Sequence, residues 1–204
     1  QFAQQQGMSA WLQKQQSMLR PQNYVPNDID DESNFIDIKN VMDFASQISE
    51  NAKDPLFYLK FGLSMGINSH GFLGYAAKSS GTVKEAILID CELLHTRITG
   101  YDMELIPHNQ SHSKITLTPN QCYGDAADAL FEMICGSFCT MSSELIEIPF
   151  PPFEIYTTLH QKTDSSEYAL ASGCPWHFDQ TESYLTIPNA VLNLPLAETD
   201  SVLK

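Results

Sequence analysis

The sequence predicts an α+β fold in which two β-α-β-β modules form an antiparallel sheet with helices packed on it. Two observations lead to this prediction. The apolar pattern gives the order strand, helix, strand, strand twice along the chain, and one long amphipathic helix separates the two copies. A helical hairpin is expected before the first copy. Modules of this order leave one sheet face, or the cleft between them, free for a ligand.

The amino-terminal part, residues 1–34, predicts a helix at 8–19 followed by a polar, acidic linker. Residues 35–204 predict one folded domain. Within it, apolar residues at helical spacing predict a helix over 38–51. The dipeptide Asp54-Pro55 is a start signal for a second helix, because Asp caps helices and Pro suits their first turn. These two helices form the predicted hairpin.

The first module begins with a short apolar run at 71–77, which predicts a buried strand. Thr82 and Glu85 are spaced as a capping box that opens the module's helix. Two strands follow, at 103–107 and 114–118, joined by a polar turn.

The long helix between the modules is predicted over 125–143, where apolar residues keep an i, i+3, i+4, i+7 spacing for about four turns. The second module then predicts a strand at 154–160 and a short helix at 165–171 that Asp164 or Ser165 caps. Two further strands are predicted, at 176–178 and 184–187.

The charge of the chain argues against nucleic-acid binding by this part of the protein. It has 25 acidic and 11 basic residues, a formal net charge of −14, and the basic residues are scattered. A phosphate backbone is bound through clustered Lys and Arg. Apolar runs are too short for a membrane span, and no secretory signal is recognisable. Five cysteines without CxxC spacing are interpreted as reduced thiols. The sequence therefore predicts a cytoplasmic protein without a membrane partner.

No Walker loop, dinucleotide-binding, zinc-protease or serine-hydrolase motif occurs in the sequence, so no enzyme activity and no cofactor are predicted. His160, Cys174 and His177 are candidate metal ligands, and Cys174 with a histidine is a candidate catalytic pair, but loop or pocket-rim residues are the favoured interpretation of all three. The polar turn with His108 and His112 is interpreted as solvated. Two further cysteines, Cys135 and Cys139, share a helix face as a redox pair or, in the favoured interpretation, as core residues.

Three segments give the chain a specific resemblance. DPLFYLKFG at 54–62, GFLGYAAKSSGTVKEA at 71–86 and LTIPNAVLNLPL at 185–196 resemble the arabinose-binding-type amino-terminal domain of AraC/XylS transcription regulators. The resemblance implies a domain that binds a small-molecule effector, forms a homodimer and controls a helix-turn-helix domain. DNA would be contacted only through that carboxyl-terminal domain, which is expected after Lys204. The alternative is a stand-alone small-molecule-binding protein or an enzyme of similar fold.

Aromatic residues concentrate on the predicted strands, and for each one alone core packing is the favoured interpretation. An effector pocket is nonetheless lined by aromatic groups and a few polar anchors. The expected ligand-binding residues are Tyr75, Tyr156, His160, Trp176 and His177. Dimerisation is further suggested by the long helix, whose second face (Ala129, Met133, Cys139) is only partly polar.

Overall fold

The computed structural model describes residues 53–98, 100–120, 126–148 and 151–196. The predicted helices at 8–19 and 38–51, and the linker between them, lie outside these residues. The chain divides into two compact units, 1–57 and 58–204. Residues 53–57 are the described part of the first unit, where the Asp54 carboxylate accepts a hydrogen bond from the Leu56 amide, 2.9 Å away.

The α+β class is confirmed, because the described residues combine helices with one five-stranded sheet. The helices, in chain order, are α1 (Phe57–Leu63), α2 (Phe72–Lys78), α3 (Val83–Leu93), α4 (Ala126–Ile146), α5 (Ser165–Ser172) and α6 (Asn189–Leu192). The strands are β1 (Tyr101–Pro107), β2 (His112–Pro119), β3 (Glu154–Tyr156), β4 (Trp176–His177) and β5 (Tyr184–Pro188). Short 3₁₀ turns are found at Ile67–His70 and Leu94–Thr96.

The sheet has the strand order β1-β2-β5-β3-β4. Neighbouring strands are antiparallel except β3 and β4, which are parallel. These two strands are consecutive in the chain with α5 between them, and a helical crossover is the usual way to connect parallel neighbours. The second module therefore has the predicted order β-α-β-β.

Side chains alternate between the two faces of this sheet. The core face carries buried apolar residues: Met103, Ile115, Leu117, Ile155, Trp176, Leu185 and Ile187. The other face, called the polar face below, carries the intervening residues, most of which are polar: Asp102, Glu104, Ile106, His112, Lys114, Thr116, Thr118, Glu154, Tyr156, His177, Tyr184, Thr186 and Pro188. The two faces thus differ in chemistry as alternation requires.

The strand predicted at 71–77 is wrong, because this segment forms helix α2. Gly71, at a φ of 53°, ends the preceding 3₁₀ turn, and Leu73, Gly74 and Ala77 are then buried at helical spacing. A Cβ on Gly74 would lie 2.1 Å from the Ile67 carbonyl oxygen, so the glycine allows close packing there. A short apolar run fits a strand or a helix equally well, and here tertiary packing decides. The first module therefore has the order α-α-β-β.

Helix α3 starts where the capping box predicts. The Thr82 hydroxyl accepts a hydrogen bond from the Glu85 amide at 3.2 Å, and the Glu85 carboxylate accepts one from the Gly81 amide at 2.7 Å. Helix α3 then packs on α2 and contacts β1. This arrangement holds α2 and α3 against the edge of the sheet that β1 forms.

Helix α4 confirms the longest predicted helix, but its second face does not remain free for a partner. Ala129, Met133 and Cys139 are at most 7% exposed within the single chain. The argument for dimerisation from this face is therefore wrong. Helix α4 is long and apolar enough to cross a membrane by length and composition, yet 72% of its most apolar window is buried in the domain. Its apolarity is explained by its place in the core.

Candidate functional site

A row of four rings crosses the polar face of the sheet. The rings of His177 and Tyr156 are stacked with centroids 4.4 Å apart, and those of Tyr156 and Tyr184 are nearly parallel at 4.8 Å. The His108 ring continues the row, 5.9 Å from Tyr184. The row lies across β4, β3 and β5 and reaches the turn after β1.

Strand register explains why these rings meet. Tyr156 is directly opposite Tyr184 on one side and His177 on the other. Paired residues on adjacent strands project from the same face at about 5 Å spacing, which is the distance at which rings stack. The row therefore results from the strand order, which brings β3 between β4 and β5.

Lys114 is the buried cation of this face, with only 9% of its surface exposed. Its ammonium lies 4.1 Å from the centroid of the Tyr184 ring and forms an ion pair with Glu182. A cation over an aromatic face is attracted by the ring's electron density. The side chain of Glu182 is 58% exposed, so solvent reaches this ion pair from one side.

Glu154 organises the other end of the row. Its carboxylate accepts a hydrogen bond from the Tyr156 phenol at 3.0 Å and lies 3.1 Å from His177 Nε2. Partial burial, and then the neighbouring Glu154 carboxylate, raise the pKa of the Tyr156 phenol. The phenol therefore remains a hydrogen-bond donor at neutral pH.

The polar face is acidic as a whole. Asp102, Glu104 and Glu154 are exposed on its strands, and Glu182 neutralises Lys114. Within the described strands, Lys114 is the one Lys or Arg on this face. The face can therefore attract a positively charged ligand group more readily than a negatively charged one.

Of the five residues expected to bind a ligand, the structure brings Tyr156 and His177 together in this row. Trp176 lies on the core face, 5% exposed, and its indole N–H donates a hydrogen bond to Ser172 Oγ at 3.0 Å. His160, with 92% of its side chain exposed, pairs with Asp179. Tyr75 is 69% exposed on helix α2.

Four members of the site were not among those five residues: Tyr184, His108, Lys114 and Glu154. Alternation within each strand puts Tyr184 on the face opposite to Leu185, and the same rule applies to Lys114 and Ile115. Strand pairing, however, joins residues far apart in sequence, and His108 lies in a turn. The signal that would have found them is the strand order, which the sequence does not show.

The structure does not bring His160, Cys174 and His177 together as one metal or catalytic group. Cys174 is buried, and its sulfur lies 3.7 Å from the sulfur of Cys139, while His160 and His177 have the separate partners described above. Cys135 is buried, as the core interpretation expects. Among the described residues, no group of three or more His, Cys, Asp and Glu side chains is placed to hold a metal ion.

Apart from the ring row, a cavity with a volume of about 220 Å³ is found on the helical side of the fold. Its lining includes Asn68, Lys78 and Glu144 and shares no residue with the ring row. Glu144 accepts a hydrogen bond from the Ile67 amide at 2.7 Å, which uses one of its oxygens within the fold. The cavity carries charges of both signs and is the alternative place for a small ligand.

Comparisons of the chain with a family model, a curated protein and a solved structure all match transcription regulators. The model of the arabinose-binding domain of AraC transcription regulators, N-terminal part, matches residues 15–196. The ornithine utilization regulator of Pseudomonas aeruginosa is 22% identical over 144 residues, which are 71% of this chain and 42% of that protein. The crystal structure of the transcriptional regulator CdpR from Pseudomonas aeruginosa has a TM-score of 0.62 at 16% identity.

The structural match covers 97% of this chain and 58% of CdpR, so the chain spans less than two thirds of both relatives. The likeness to CdpR supports the fold. The family match covers most of the chain, and it explains the sequence resemblance at 54–62, 71–86 and 185–196. The chain belongs to the family of arabinose-binding amino-terminal domains of AraC-type transcription regulators.

Proposed function

We propose that this domain binds a small-molecule effector, dimerises, and thereby controls a separate helix-turn-helix domain of the same protein in the cytoplasm. The observation that carries the proposal is the family match over residues 15–196. The net charge of −14 supports DNA contact by the helix-turn-helix domain alone, because the effector domain repels a phosphate backbone. An effector acts by binding one arrangement of the protein more tightly than another.

The ring row is our proposed effector site. It combines stacked aromatic side chains, a buried lysine and an exposed carboxylate, a mixture typical of small-molecule sites. Tyr156 and His177 are the residues proposed to contact the ligand, with Lys114 and Glu154 as polar anchors. The remaining expected residues, Tyr75, His160 and Trp176, lie apart from this row and are not proposed as direct contacts.

The effector we propose carries a positively charged amino group. The carboxylates on the polar face outnumber Lys114, and this lysine already has Glu182 as its partner. An ammonium group can pair with Glu154, whereas a ligand with only carboxylates would be repelled by the carboxylates of this face. One relative is named for ornithine utilization, and ornithine carries two amino groups. It is therefore the first compound to test.

A thermal-shift screen tests ligand binding directly. The chain is heated with ornithine, with simple diamines and with dicarboxylates, each in large excess. A ligand at about 100 times its dissociation constant stabilises the folded state by about 2.7 kcal/mol. We expect stabilisation by amines and none by dicarboxylates. The opposite ranking would contradict the proposed ligand class, and no response to a wide metabolite panel would contradict sensing.

The proposed homodimer is tested by light scattering over a range of protein concentrations. Because the second face of α4 is buried within the chain, a dimer must use another surface, and we assign none. A mass near twice 22.8 kDa supports dimerisation. A mass that stays at one chain at the highest concentration, with and without effector, contradicts it.

A further inference from the structure

The two sulfurs of Cys139 and Cys174 lie 3.7 Å apart, in contact with each other inside the core. Each residue is 1% exposed. Cys139 lies in the middle of α4, while Cys174 follows the turn that ends α5. The residues are 35 apart in sequence, so the pair joins two elements that strand and helix patterns do not connect.

We propose that Cys139 and Cys174 are an oxidation site, at which a peroxide converts the two thiols into a disulfide. A disulfide needs sulfurs at about 2.05 Å, so one side must move by less than 2 Å. The two sulfurs belong to different elements: Cys174 follows Gly173, whose φ of 77° ends helix α5 in a short turn, and Cys139 lies within helix α4.

The surroundings assign separate roles to the two sulfurs. The Cys174 thiol donates a hydrogen bond to Ser172 Oγ at 3.4 Å, and its sulfur is also in hydrogen-bond contact with the sulfur of Cys139. The hydrogen-bond contact with Cys139 lowers the pKa of the Cys174 thiol, and burial opposes that shift. A thiolate is the form that attacks an oxidant. Cys174, which lies in the turn after α5, is therefore assigned the first reaction, and Cys139, which lies within α4, resolves the product.

The reaction balances with one peroxide. The Cys174 thiolate attacks one oxygen of hydrogen peroxide, the O–O bond breaks, and a sulfenic acid and hydroxide form. The Cys139 sulfur then attacks the Cys174 sulfur, the S–O bond breaks, and a second hydroxide leaves. The two thiol protons convert both hydroxides to water. Two thiols are oxidised and one peroxide is reduced, with no other reactant.

Cys135 supplies the contrast within the same helix. It lies four residues before Cys139 and is also buried, and burial raises the pKa of its thiol well above the usual range. No hydrogen bond joins its sulfur to that of Cys174 among the described residues, although Cys174 is near enough to raise its pKa further. Cys135 and Cys139 are therefore alike in burial, and only Cys139 has the hydrogen-bond contact with the Cys174 sulfur that a disulfide requires.

Peptide mapping tests the proposal on the intact chain. The protein is treated with hydrogen peroxide, quenched with an alkylating agent in denaturant, and digested with trypsin. No Lys or Arg lies within 115–161 or 163–203, so Cys139 and Cys174 fall on different peptides, 115–162 and 163–204. We expect mass spectrometry to detect these two peptides as one disulfide-linked species, which separates into the two peptides after reduction by a thiol.

Three single variants locate the bond. Cys139→Ala and Cys174→Ala should each abolish the linked species, while Cys135→Ala should retain it. Circular dichroism under reducing conditions identifies any variant that has failed to fold, and Cys139→Ser then replaces Cys139→Ala. A link that survives loss of Cys139, a link lost with Cys135, or oxidation of Cys174 to sulfinic acid without any link would each overturn the proposal. The proposal does not depend on effector binding.

Discussion

Tyr168 donates a hydrogen bond of 3.0 Å from its phenol to the carboxylate of Glu132, and both side chains are completely buried. The other carboxylate oxygen accepts a hydrogen bond from the Lys162 ammonium at 2.8 Å. Burial raises the pKa of Glu132, and Lys162 opposes that shift. A carboxylate in the core is tolerated only when its oxygens have such partners. The three side chains therefore fasten α5 and its preceding loop to α4.

Tyr168→Phe should lower the free energy of unfolding by about 1–3 kcal/mol, because a buried acceptor loses its donor. Chemical denaturation measures the loss. Tyr156→Phe is the matched control, since its phenol also bonds a glutamate but in a half-exposed position. We expect the control to change stability by much less. Equal losses in the two variants would show that burial of Glu132 is not the cause.

Gly62→Ala should destabilise the fold through a clash between two helices. An added Cβ would lie 2.1 Å from the Met133 carbonyl oxygen, and backbone cannot yield as a side chain does. Inserting a methyl group into such a contact costs about 1–3 kcal/mol. Gly81→Ala is the control, because its Cβ would meet only the mobile carboxylate of Glu85, at 3.0 Å. Thermal melting should show a lower Tm for Gly62→Ala and little change for the control.

Asp90→Asn should change how stability depends on pH. One carboxylate oxygen of Asp90 is buried and has no hydrogen-bond partner among the described residues, and burial raises the pKa of this group from 3.8 to about 8. Between these values the folded state holds a proton that the unfolded state has lost, so stability falls as pH rises. The fall is complete once the pH has passed about 8.

The asparagine variant lacks this titration. The difference in Tm, variant minus parent, should therefore grow as the pH is raised from about 4 to about 8. Glu92→Gln, an exposed change near the end of the same helix, is the control and should show no such trend. A difference that is constant with pH would mean that Asp90 has the same charge in both states.

The parts of the fold that could be predicted from the sequence are those with a sustained local pattern. Helix α4 keeps its apolar spacing for several turns, and the Thr82 capping box marks the start of α3. A strand is the prediction for 71–77, yet seven residues are too few to fix an apolar period, and the segment forms a helix. Its helical form depends on Gly74, which meets the backbone of Ile67.

The candidate site was predictable only in part, for a different physical reason. Alternation assigns Trp176 and His177 to opposite faces, which is a local rule. The pairing of Tyr156 with Tyr184, by contrast, depends on which strands become neighbours. Neither the contact of Lys114 with Tyr184 nor that of Cys139 with Cys174 leaves a signal in the sequence, because both join residues distant along the chain.

Calorimetric titration of an effector from the thermal-shift screen into single variants tests effector binding at the ring row most directly. His177→Ala removes a ring of the row, His160→Ala removes an exposed histidine outside it, and Lys78→Ala removes a charge from the separate cavity. We predict that His177→Ala weakens binding by about tenfold or more, which corresponds to at least about 1.4 kcal/mol. The other two variants should bind as the parent does. Unchanged binding in His177→Ala together with lost binding in Lys78→Ala would contradict effector binding at the ring row and would place the effector in the cavity.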